Sequence, residues 1–83
     1  MNISAETQSR LTIPSEGKFT YHAWLGNHSG FTSMIVKANN GLQARERYAA
    51  HYGGLNNMKR IRVMRLRQHE VLDVMIGMIE YCG

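Results

Sequence analysis

A short helix bracketed by strand-like alternation most constrains this chain, because its start and stop signals are explicit. Asn40 has the side chain to accept from first-turn amides, and Gln43, three residues on, supplies the second half of a capping box. Gly53-Gly54 closes the segment, since glycine readily takes the left-handed position after a helix. Between these signals Ala44, Tyr48 and Tyr52 recur at i, i+4, i+8 as one apolar stripe, with Arg45, Glu46 and Arg47 largely on the solvent side. A helix placed after one set of strands and before another argues for the α+β class.

The preceding residues read as a β-hairpin. From Lys18 to Leu25, Phe19, Tyr21, Ala23 and Leu25 share one face by the period of two, and His22 and Trp24 share the other. Gly26-Asn27-His28-Ser29-Gly30 is turn chemistry, and Phe31 to Ala38 resumes the strand pattern. After the helix, Met58 to Arg67 reads as a third strand in which Ile61 and Val63 alternate with Arg60 and Arg62. Leu66 is out of phase with them. A one-residue bulge near Val63 and Met64 would restore the phase and turn Arg60, Arg62, Arg65 and Arg67 outward together.

The segment from Gln68 to Tyr81 spaces His69 or Glu70, Asp73, Gly77 and Glu80 as the polar stripe of a helix. Its Val71, Val74, Ile76 and Ile79 keep a strand as the alternative. Residues 1–17 are polar apart from Ile3, Leu11 and Ile13 and end in the turn signal Pro14-Ser15-Glu16-Gly17, the pattern of an N-terminal arm. The expected architecture is a single α+β domain over residues 18–83. It has a three-stranded antiparallel sheet with helices packed on one face, in the order β-β-α-β-α, crossed by the arm.

At 83 residues the chain has room for one thin core, and 43% hydrophobic with 19% charged residues is the composition of a folded protein. A lone Cys82 excludes an internal disulfide framework and a cysteine-based zinc site, and fits a reducing compartment. The start has no basic residues followed by an apolar stretch, and runs such as Val74-Met75-Ile76 are too short for a bilayer, so the expectation is a soluble, cytoplasmic protein. His22, His28, His51 and His69 show no metal-ligand pair spacing. Nucleophile elbow, phosphate loop and paired acidic motif are all lacking, so the reading is a binding protein with no cofactor and no metal.

Lys59, Arg60, Arg62, Arg65 and Arg67 hold half of the 10 Lys and Arg in a chain of net charge +4. On one face they would form a ladder with ~7 Å spacing able to meet phosphates or an acidic protein. The bland alternative is a solvated face that deters edge pairing. Trp24 and His22 could stack on bases, or Trp24 could receive the apolar residues of the arm. Val71, Met75, Met78 and Ile79 belong to an apolar arc wide enough to leave an interface for another protein or a homodimer, or to be wrapped by a short sheet.

From Lys18 to Arg67 the layout is a hairpin whose second strand ends Val36-Lys37-Ala38-Asn39, an Ala-rich helix ending Tyr52-Gly53-Gly54, then a basic strand. It resembles small phage and plasmid proteins, some anti-CRISPR proteins among them, and certain small RNA-binding modules. The resemblance implies action without chemistry, by occupying the surface of a protein or ribonucleoprotein complex as an inhibitor or adaptor. The basic composition departs from the acidic DNA mimics common among anti-CRISPR proteins. Two further readings accompany it: an RNA- or DNA-binding accessory protein using the basic strand with Trp24, and a structural subunit assembled through Met75 and Ile79.

Overall fold

The computed structural model describes residues 3–26, 33–52 and 59–82. Within them the elements are α1 (Ala5–Arg10), β1 (Thr12–Ile13), β2 (Phe19–Leu25), β3 (Met34–Ala38), α2 (Gly41–His51), β4 (Ile61–Leu66) and α3 (Gln68–Cys82). The strands form one four-stranded sheet in the order β1-β3-β2-β4, with β1 parallel to β3 and both β3 and β4 antiparallel to β2. The α+β class holds, whereas the expected three-stranded antiparallel sheet is a four-stranded mixed one.

The fourth strand comes from the expected arm. Ser4 caps α1 by accepting from Thr7 N at 3.2 Å, and Thr12 Oγ1 donates to Gln8 O at 2.7 Å as the helix unwinds. Leu11 O accepts from Ile35 N at 2.7 Å, which starts a parallel ladder. Pro14 closes the strand, and the Ser15 hydroxyl carries the ladder one rung further: Oγ accepts from Lys37 N at 2.9 Å and donates to Ile13 O at 2.9 Å. A hydroxyl thus bridges a backbone pair that the departing chain no longer brings together.

Two cores lie on opposite faces of the sheet. On one, Ile13, Tyr21, Ala23, Met34, Val36, Ala38 and Ile61 pack with Ala44, Tyr48 and Ala49 of α2. On the other, Ile35 and Leu66 pack with Met75 and Met78 of α3, with Ile3, Leu11, Val71 and Val74 around them. The expected placement of both helices on one face is therefore corrected. β3 explains why: Met34, Ile35 and Val36 are consecutive and all buried, and a strand with both phases apolar needs cover on both sides. Ile3 and Leu11 join the α3 side and Ile13 the α2 side, so the arm's apolar residues do not depend on Trp24.

The helix from Asn40 is capped as its sequence predicts, Asn40 Oδ1 accepting from Gln43 N at 2.8 Å. Gln43 Oε1 reaches back to Asn39 N at 2.7 Å, one residue beyond the usual reciprocal partner. Arg47, read from sequence as a solvent residue, donates through one guanidinium nitrogen to the carbonyls of Glu16 and Lys37, tying α2 to the β1–β2 connection and to β3. The predicted turn around residues 27–30, the stop at Gly53-Gly54, and Phe31 and Met58 lie outside the described residues.

The C-terminal segment is helical. Glu70 Oε1 accepts from Arg67 N at 2.8 Å, the returning half of a capping box whose first residue has no side-chain oxygen to offer. Gly77 is exposed inside this helix, and a Cβ there would meet nothing within 4 Å. Gly77→Ala is expected to raise folding stability by about 1 kcal/mol through helix propensity. Urea melts of the two proteins check it, and an unchanged midpoint would mean the position is not an open helix interior. No helix among the described residues is long and apolar enough to cross a membrane.

Candidate binding surface

β4 carries the basic run, and its register decides where each arginine goes. Thr20 to Leu25 pair one for one with Leu66 to Ile61 without interruption, so the expected bulge near Val63 and Met64 is absent. The phase is restored differently: Leu66 belongs to the α3-side core, and the strand is apolar on both faces. The four arginines consequently do not share one face. Arg62 lies opposite Trp24, and Met64 opposite His22, on the α3 side. Arg65 lies opposite Tyr21 on the α2 side, its guanidinium carbon 3.7 Å from the centroid of the Phe19 ring, a cation–π arrangement. Arg60 precedes the strand in the short turn with Lys59, and Arg67 sits between β4 and α3.

The result is a strand edged with cations on both faces and at both ends. Lys59, Arg60, Arg62, Arg65 and Arg67 are exposed, and among the described residues none forms an ion pair. An Arg in such a setting keeps its planar fork of donors available for a carboxylate or phosphate. The signal for the cations was plain in the sequence. Their division between two faces was hidden, because it depends on which core claims Leu66.

Beside Arg62 the surface is aromatic and apolar. Trp24 and His22 are half-buried with ring centroids 4.6 Å apart and planes tilted by 33°. Met64 is 47% exposed. His22 Nε2 is buried without a hydrogen-bond partner among the described residues, and desolvation holds the imidazole below its ordinary pKa of 6.5. The unfolded chain therefore binds a proton that the folded chain resists. The stability His22 contributes is complete above about pH 6.5 and is lost as pH falls through the lowered folded value. Urea midpoints are expected to fall between about pH 7.5 and about pH 5, and His22→Phe, which keeps a ring beside Trp24, is expected to flatten that slope. An equal slope in the variant would assign the effect to other groups.

The predicted apolar interface residues are mostly used inside the fold. Met75 and Met78 are each 5% exposed against Ile35 and Leu66, Val71 is half-buried at the edge of that cluster, and Ile79 is half-buried. Leu72, at 41% exposure, is a large apolar side chain that α3 leaves outward. Near it a groove of about 360 Å³ runs between α1, the sheet and α3, lined by Thr12, Thr20, Ile35, Lys37, Val71 and Met75 among others. Among the described residues no group of three or more His, Cys, Asp or Glu converges as metal ligands would.

Comparisons of the chain with protein-family models, with characterised proteins and with solved structures gave no match. The functional reading accordingly rests on the residues themselves.

Proposed function

We propose that this chain is a non-enzymatic binding protein that uses β4 and its flanks to occupy an acidic surface on a protein or ribonucleoprotein, as an inhibitor or adaptor. The observation that supports it is the ring of cations around one edge strand, which form no ion pair among the described residues, with Met64 and Trp24 beside Arg62 to add apolar contact. Opposite charges across an interface steer encounter and fix register, and a neighbouring apolar patch slows dissociation. The hairpin, helix and basic strand that carry the resemblance to phage and plasmid inhibitors correspond to β2, β3, α2 and β4. An origin in a mobile element is part of the same proposal.

A nucleic-acid accessory role is the second reading, favoured by the register that sets Trp24 directly across from Arg62. Stacking beside a phosphate contact is how single strands are commonly held. Assembly through Met75 is less well supported, because that side chain already fills the core under α3.

Fluorescence anisotropy with labelled polyglutamate and labelled single-stranded RNA, each at low and physiological salt, separates these readings. The expected result is salt-sensitive polyglutamate binding that Arg60→Glu with Arg62→Glu weakens by at least about tenfold, while Arg45→Glu on α2 has little effect. Equal loss in the Arg45 variant would point to net charge instead of β4. Tighter binding to RNA, lost in Trp24→Ala, would move the second reading to first place.

A further inference from the structure

β4 is an edge strand, and the phase of its hydrogen bonding decides what its outer rim offers. Gly26 N donates to Arg60 O at 2.9 Å, in the register that also pairs Leu25 with Ile61 and Trp24 with Arg62. Bonded and non-bonded pairs alternate along an antiparallel ladder. Arg62, Met64 and Leu66 therefore exchange bonds with β2, and the N–H and C=O groups of Ile61, Val63 and Arg65 point away from the sheet. Among the described residues no strand or side chain satisfies those outward groups. A row of free donors and acceptors is a template for another strand.

The side chains flanking that rim choose the strand. Arg62 and the exposed Met64 stand on one face, Val63 and Arg65 on the other, and Arg60 and Arg67 mark the two ends. No acid occurs between Glu46 and Glu70 in the sequence to neutralise them. A second copy of β4 is a poor occupant, because self-pairing sets the arginines of one copy beside those of the other, and like charges across a ladder repel.

We propose that β4 is a docking edge for an acidic extended peptide, which joins the sheet as an additional strand. The peptide's main chain bonds to Ile61, Val63 and Arg65. Its carboxylates, on alternate residues and so ~7 Å apart on one face, meet Arg60 and Arg62. The peptide's intervening apolar residues lie on the other face, against Val63. Main-chain bonds supply affinity and the alternate side chains supply selection, so the recognised feature is charge alternation, not charge alone. The inference rests on β4 being the contact surface and adds the partner's chemistry and its mode of attachment.

The test uses the full chain and three fluorescein-labelled peptides: (Glu-Val)4, the same composition as (Glu-Glu-Val-Val)2, and (Glu-Val)4 with backbone N-methyl groups on alternate residues. Anisotropy is expected to show (Glu-Val)4 binding at least about tenfold more tightly than either of the others. Amide hydrogen exchange adds a residue-level readout. In the free protein Arg62 and Met64 are protected and Ile61, Val63 and Arg65 exchange fast; saturating (Glu-Val)4 slows these three. Val63→Pro removes an outward donor and leaves the bonds to β2 in place, and is expected to weaken (Glu-Val)4 by about tenfold. Should that variant not fold, the N-methylated peptide asks the same question from the other side. Equal affinities for all three peptides would overturn strand addition while leaving β4 as an anion-binding surface. Failure of every peptide, together with failure of polyglutamate and RNA, would overturn both.

Discussion

Tyr48→Ala is expected to lower folding stability by about 4 kcal/mol, about a third or more of what a domain of this size has. Tyr48 is 1% exposed and sits at the centre of the α2-side core, between the helix and the inward residues of the sheet. Its ring lies 4.8 Å from that of Tyr52, centroid to centroid. Truncation removes the ring's own burial and leaves a void that a short helix can close only in part. A domain of 83 residues has roughly 4–12 kcal/mol in total, so few other contacts can compensate. Urea unfolding followed by circular dichroism measures the loss. Tyr48→Phe, which keeps the ring, is expected to cost about 1 kcal/mol. Equal losses in the two variants would show that the hydroxyl, and not the ring, holds this position.

Gly17→Ala is expected to cost about 3 kcal/mol, a large effect for one methyl group. A Cβ at Gly17 would lie 2.5 Å from the backbone N, Cα and C of Ala38. These are main-chain atoms of a central strand, so no side chain can turn aside to make room. Either the β1–β2 connection lifts or the end of β3 shifts. Both movements strain the contacts that fasten this corner: Lys18 N donating to Asn39 Oδ1 at 3.1 Å, and Arg47 donating to the carbonyls of Glu16 and Lys37. Thermal and urea midpoints compared with the parent protein check the prediction, and a shift under about 1 kcal/mol would mean that the connection does not pass against Ala38 as closely as described.

The candidate surface is legible in part. Five cations in the space of nine residues announce themselves in any reading, and Trp24 and His22 were correctly placed on the face opposite Tyr21 and Ala23. Their joint geometry was not legible. With one core, Leu66 is out of phase and requires a bulge and a one-sided arginine ladder, whereas a second core takes Leu66 without any irregularity in the strand. Arg65 then turns to Phe19, and the cations surround the edge instead of lining a face. The outward backbone groups of Ile61, Val63 and Arg65 carry no sequence signal at all, because which phase of a strand bonds to its neighbour depends on register.

Local chemistry was sufficient for several elements of this protein. Asn40 with Gln43 defined the start of α2, the period of two set the inward face of β2, and the polar spacing along Gln68–Cys82 indicated a helix despite its β-branched residues. Each depends on interactions spanning a few residues, which a sequence records directly. The tertiary structure decided the rest. That residues 12 and 13 would become a parallel edge strand, that Met34, Ile35 and Val36 would be covered from both sides, and that α2 and α3 would take opposite faces all depend on contacts between distant segments. The continuous apolar run of β3 contained the hint. Alternation reports which residues avoid water, but only packing determines whether the second face of a sheet meets water or another helix.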